Sequence, residues 1–95
     1  MANTNLRVGS VLPQLAQTVT LNPTSINANS ISTETFTVTG LQTDSQTFVD
    51  APNLEAGLFI IGAACSTVNV LALSIWNTTN AAVDPASQVF RVTQF

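Results

Sequence analysis

Residues 58–77, LFIIGAACSTVNVLALSIWN, constrain the fold more than any other stretch of the chain. Leu58-Phe59-Ile60-Ile61-Gly62-Ala63-Ala64-Cys65 is apolar almost without a break, Ser66-Thr67 interrupts it, and a second apolar run leads to Trp76. Two such runs joined by small polar residues predict an antiparallel hairpin. Ala64, Leu71, Ala72 and Leu73 would also suit a buried helix, but Gly57, Gly62, Ser66 and Thr67 punctuate that pattern and the β-branched content favours strands. Ser-Thr is poor turn chemistry, because a two-residue turn wants Gly or Asn at positive φ. The turn is therefore expected to draw in Cys65 or Asn69, with Asn69 the better candidate for the left-handed position. Neither strand alternates cleanly, so both faces of the hairpin are expected to be covered, one by the core and the other by a loop, an arm or another subunit.

The rest of the chain reads as shorter strands. Leu15, Val19 and Leu21 point one way, and Ala16, Thr18 and Thr20 the other. Asn22-Pro23-Thr24-Ser25 ends that strand, and Ile26 is expected to tuck the following loop down. Residues 31–39 place Phe36 and Val38 on one face and Thr33, Thr35, Thr37 and Thr39 on the other, a threonine row suited to a wet sheet face. Residues 46–50 make a short strand with Phe48 and Val49. Residues 78–87 form a long connection with a turn at Asp84-Pro85. The last strand, 88–95, sets Val89, Arg91, Thr93 and Phe95 against Phe90, Val92 and Gln94. Six or seven short strands with frequent turn signals and no helix predict an all-β fold: a single small β-sandwich or jelly-roll domain over residues 14–95, preceded by an N-terminal arm, residues 1–13.

Composition narrows the function classes. Only 7% of the 95 residues are charged, against roughly 25% in ordinary soluble domains. Hydrophobic content is 45% and net charge −3, so disorder does not follow. A small domain with so little surface charge suits packing against copies of itself or a partner. Arg7 and Arg91 are its only cations, which argues against nucleic acid and against an electrostatic membrane role. No apolar run approaches the length of a membrane-spanning helix, and the N-terminus shows no secretory pattern. Catalysis has little to work with. Without His or Lys there is no imidazole base, Schiff-base lysine or imidazole metal ligand. The acidic residues Glu34, Asp44, Asp50, Glu55 and Asp84 are spread singly, so no enzyme, cofactor or metal is expected. Cys65 has no cationic neighbour and reads as a core residue. Asn77-Thr78-Thr79 matches a glycosylation pattern but reads as an idle match. Trp76 has two readings. At a sheet rim it would stack on a sugar or a partner; continuing the face of Val68, Val70 and Ala72, it would be a core aromatic, and that second reading is the expectation here.

In the arm, Leu6, Val8, Val11 and Leu12 offer more apolar side chains than a solvated tail needs, and Arg7 is a handle for an acidic partner. These five residues and Trp76 are the candidate partner-binding residues.

A resemblance enters at TFTVTGLQ (residues 35–42), continues through VxxPxLxAGL (49–58) and IIGAxxSTxNxLALSIWNTT (60–79), and ends with a proline turn and closing strand. Together these resemble small all-β virion structural proteins of tailed bacteriophages, over roughly residues 17–95. The chain departs from that pattern at Thr43 and at Ala64-Cys65. The resemblance implies a capsid decoration (cement) protein on the virion surface, made in the host cytoplasm. Its expected partners are the major capsid protein or another virion protein and copies of itself, as a homotrimer at local three-fold positions. The alternative it leaves is a tail, fibre or head-fibre component acting as a receptor- or glycan-binding module.

Overall fold

The computed structural model describes residues 15–95, which form six strands and no helix. They are β1 (Leu15–Leu21), β2 (Ser30–Thr37), β3 (Thr47–Asp50), β4 (Leu58–Thr67), β5 (Val70–Asn77) and β6 (Gln88–Gln94). Two three-stranded antiparallel sheets result, in the orders β1–β6–β3 and β2–β5–β4. The all-β expectation is met. The proposed arm, with Leu6, Arg7, Val8, Val11 and Leu12, lies outside the described residues.

Period-two burial explains why these segments are strands. In β2, Ser32, Glu34 and Phe36 are half-buried while Ile31, Thr33, Thr35 and Thr37 are exposed, as the threonine row requires. In β5, Leu71, Leu73 and Ile75 are buried on the inner face. One core joins the two sheets: Leu21, Phe90 and Val92 from the first, Leu58, Cys65, Leu71, Leu73 and Ile75 from the second. Ile26, Val38 and Leu41 enter it from the connections, so Ile26 does pull its loop inward. The Cys65 thiol is buried there and donates to Thr67 O at 3.0 Å.

The central hairpin forms, but Ser66-Thr67 is not its turn. Both belong to β4, and the chain reverses at Val68-Asn69 between the paired Thr67 and Val70. Asn69 takes φ 66°, the left-handed position the sequence pointed to. The residue then becomes a clasp, through its side chain and its own backbone. Asn69 Oδ1 accepts from Gly40 N–H (2.7 Å), its N–H donates to Leu41 O (3.1 Å), and its carbonyl accepts from Val38 N–H (2.9 Å). β4 also shifts register twice against β5, at Ile60/Gly62 and at Ala64/Thr67, which places Ile61 as an extra residue.

Two buried polar side chains fasten the connections. Asn77, fully buried, donates through Nδ2 to Ile26 O (3.0 Å) and Ala81 O (2.9 Å), and its Oδ1 accepts from Thr79 N–H (2.9 Å). Gln94 holds Gln42 by both backbone groups and donates to Thr47 Oγ1. Between the sheets, Ile26 and Val83 exchange backbone hydrogen bonds, and Pro85 is buried; the turn expected at Asp84-Pro85 does not form, since residues 84–86 run on from the Val83 bridge without one.

Candidate interaction surface

The outer face of the β2–β5–β4 sheet can be read row by row from the register. Its first row is Ile31, Trp76 and Phe59, directly cross-strand from one another. All three are exposed, at 59%, 44% and 56%, with Ile61 beside them at 49%. The next rows are small: Thr33, Ser74 and Gly62, then Thr35, Ala72 and Ala64. Thr37, Val70 and Thr67 close the face. Thr33 and Ser74 share a hydroxyl–hydroxyl hydrogen bond of 2.8 Å. The threonine row is thus one strand wide, with Ser, Ala and Val beside it.

Trp76 therefore corrects the sequence reading. It does share a face with Val70 and Ala72, but that face is the outer one. The larger aliphatic set on β5, Leu71, Leu73 and Ile75, takes the core, and Trp76 shares its side with Ser74, which is bonded to Thr33. The expected cover over the hairpin's second face is not supplied by any described loop. A contiguous apolar row of this kind marks an interaction surface more often than scattered exposed hydrophobics do.

The outer face of β1–β6–β3 differs in chemistry. Arg91 Nη2 meets Asp50 Oδ2 at 2.9 Å, with both side chains more than half exposed, a pair contributing at most about 1 kcal/mol. Phe48 and Phe95 pack edge to face with centroids 5.7 Å apart. An open depression of about 560 Å³ is lined by Ala16, Gln17, Thr18, Arg91 and Thr93. Its walls carry no carboxylate, thiol or imidazole, so the residues lining it offer no acid–base pair. Among the described residues no group of three or more His, Cys, Asp or Glu side chains gathers in a way that could hold a metal ion, and no helix is long and apolar enough to cross a membrane.

One carboxylate is held in place by geometry that the sequence did not signal. Glu55 Oε2 accepts from Ala86 N–H (2.8 Å) and Oε1 from Gln88 Nε2 (3.0 Å), clamping the residue 85–88 segment. The Ala86 backbone bond holds the Glu55 carboxyl below its ordinary value, partial burial opposes this, and the Gln88 bond adds to the lowering. A depressed folded-state value means stability that is present above the unfolded value and lost as pH falls through the folded one. Glu55→Gln is thus expected to be less stable than the parent near neutral pH, the gap closing as pH drops below about 4. Urea midpoints of both proteins between about pH 7 and pH 3 check this; a gap independent of pH would refute it.

Asn77 is fully buried with both amide hydrogens donated, so no glycan fits on it. The chain matches no protein-family model, no curated protein and no solved structure.

Proposed function

We propose that this chain is a virion structural protein of a tailed phage, a capsid decoration protein that seats on the shell as a homo-oligomer, a trimer in the arrangement its sequence resemblance implies. The observation that carries the reading is the outer face of β2–β5–β4: an uncharged sheet surface with an exposed apolar row. Such a surface serves docking. Its major partner is the capsid protein or another virion protein, and its place is the virion surface.

The finer architecture proposed is a shortened jelly roll. Strand orders β1–β6–β3 and β2–β5–β4 are what results when a long antiparallel pairing of β1–β2 with β5–β6 is rolled and β3 and β4 fold back on the two central strands. One hairpin added between β4 and β5 would give the eight-strand form. Residues 1–13 act as an arm in this proposal, with Leu6, Val8, Val11 and Leu12 as anchors and Arg7 facing an acidic partner surface.

A second reading keeps support from Trp76 and Phe59. Two exposed aromatics side by side offer a stacking surface for a sugar, as a receptor- or glycan-binding module on a tail or fibre would need. Copy number separates the two. Quantitative mass spectrometry of purified particles is expected to find the chain at the abundance of a shell component; a handful of copies per particle would overturn the decoration reading. Deleting residues 1–12 is expected to leave the domain folded and to weaken co-sedimentation with shells stripped of the protein, and equal occupancy with the full-length chain would remove the arm from the proposal.

A further inference from the structure

We propose that the outer face of the β2–β5–β4 sheet is a self-association surface whose occupant is a second copy of this chain, the bulky row of one copy seated on the small-residue rows of the other.

Charge selects the occupant. Glu34 is the only charged residue on β2, β4 and β5, and it points to the inner side, where Oε1 accepts from Thr24 N–H (3.0 Å) and Thr24 Oγ1 (3.2 Å). The Asp50–Arg91 pair sits on the other sheet, and Glu55 in a connection. A partner bringing charged side chains to this face would leave them dehydrated with no counter-charge. The same face of another copy brings none. In a molecule of net charge −3, copies meeting here also hold their carboxylates apart.

Shape points the same way. Ile31, Trp76 and Phe59 rise at one end of the face, while Gly62, Ala64, Ala72 and Ser74 leave the middle low. Facing sheets about 10 Å apart fill their gap by setting large side chains opposite small ones. Two bulky rows stacked directly would hold the sheets apart, whereas a bulky row over the low rows closes them. The Thr33–Ser74 pair satisfies one of its two O–H donors internally, so covering it leaves a single O–H for the facing copy to accept.

Area sets the strength. Strands about 4.8 Å apart and four rows about 6.7 Å apart give a face of roughly 300 Å² in projection, well short of the ~800 Å² per partner of a standard interface. Association through this face alone is therefore weak and must be sought at high protein concentration.

This inference deepens the homo-oligomer part of the proposed function and rests on the same face, but it is tested apart from the capsid reading, because self-association is measured without shells and copy number without self-association. Trp76 is the only tryptophan in the chain and stands in the middle of the bulky row, so it reports directly. The experiment is sedimentation velocity together with tryptophan emission on the full chain, from dilute to near-millimolar protein. The expected result is a rise in apparent mass to two chains or more with a matching blue shift of the emission. Ala72→Lys, which places a charge on the low rows, is expected to lose both. Phe59→Thr, at a more than half-exposed strand position, is expected to lose them while keeping the fold, checked by circular dichroism. A full chain that stays monomeric at every concentration overturns the proposal. So does a mass increase without an emission shift, or a folded variant that associates as the parent does, since copies would then meet elsewhere.

Discussion

Leu71→Ala is expected to remove about 3 kcal/mol or more of stability, while Phe36→Ala removes less, near 1–2 kcal/mol. Leu71 lies on the central strand β5 with no exposed surface, among Leu73, Ile75, Phe90 and Val92 in the shared core. Truncating it leaves a cavity that strands on both sides hold open, so the lost transfer energy and the cavity term add. Phe36 lies on the edge strand β2 and is only half-buried, packed against the core from its margin. Water already reaches part of its ring, so truncation exposes less new surface. Against a total of about 5–15 kcal/mol for a domain, the Leu71 loss is large. Urea unfolding of both variants beside the parent measures the difference. Equal losses, or a larger loss for Phe36→Ala, would mean that β2 and not β5 lines the centre of the core.

Sequence alone does not separate these two residues, because alternation reveals which side chains share a face and says nothing about how deep the strand lies. Depth depends on strand order, and order comes from pairings between distant segments: β6 sits between β1 and β3, and β5 between β2 and β4. The same limit explains Trp76. Its parity with Val70 and Ala72 was readable, but both faces of β5 are apolar. What decided the matter was the pairing of Ser74 with Thr33, which marks that side as the wet one. On β4 a second obstacle appears. The register steps at Ile61 and before Thr67 shift the phase of the strand, so no single alternation runs through residues 58–67. Asn69 was readable because its chemistry is local: Asn tolerates left-handed φ where Val68 and Thr67 do not. Of the candidate surface, the sequence showed Trp76 and missed Ile31, Phe59 and Ile61, whose alignment exists only once β2, β5 and β4 are side by side.

Asn77→Ala is expected to destabilise the domain by about 3 kcal/mol, comparable to a core truncation although the side chain is polar. Asn77 ends β5, fully buried, where three segments meet. Its amide nitrogen donates to the carbonyls of Ile26 and Ala81, and its oxygen accepts from the N–H and the hydroxyl of Thr79. Alanine would remove all of these bonds. The Ile26 carbonyl keeps Val83 N–H and the Ala81 carbonyl keeps the Thr79 hydroxyl, but Thr79 N–H loses its acceptor, so the cost is several lost hydrogen bonds at about 0.5–1.5 kcal/mol each plus one unsatisfied donor. Some of that cost falls as the segment after β5 loosens and admits water. Thr79 would follow, and with it the approach of Thr79 Cγ2 to Gly57, where a Cβ would collide with that methyl and φ is already +85°. Asn77→Asp separates hydrogen bonding from side-chain volume. It keeps the acceptor toward Thr79 but turns the donor edge into a second oxygen facing two carbonyls, so near neutral pH it is expected to be at least as damaging as alanine. Hydrogen exchange locates the damage. The amides of Ile26 and Val83, which bond to each other's carbonyls across the two connections, are expected to lose protection first, while those of β6 beside Phe90 keep theirs. Melting of both variants within a degree or two of the parent would show that the Ile26–Val83 bridge and the core hold these connections without Asn77.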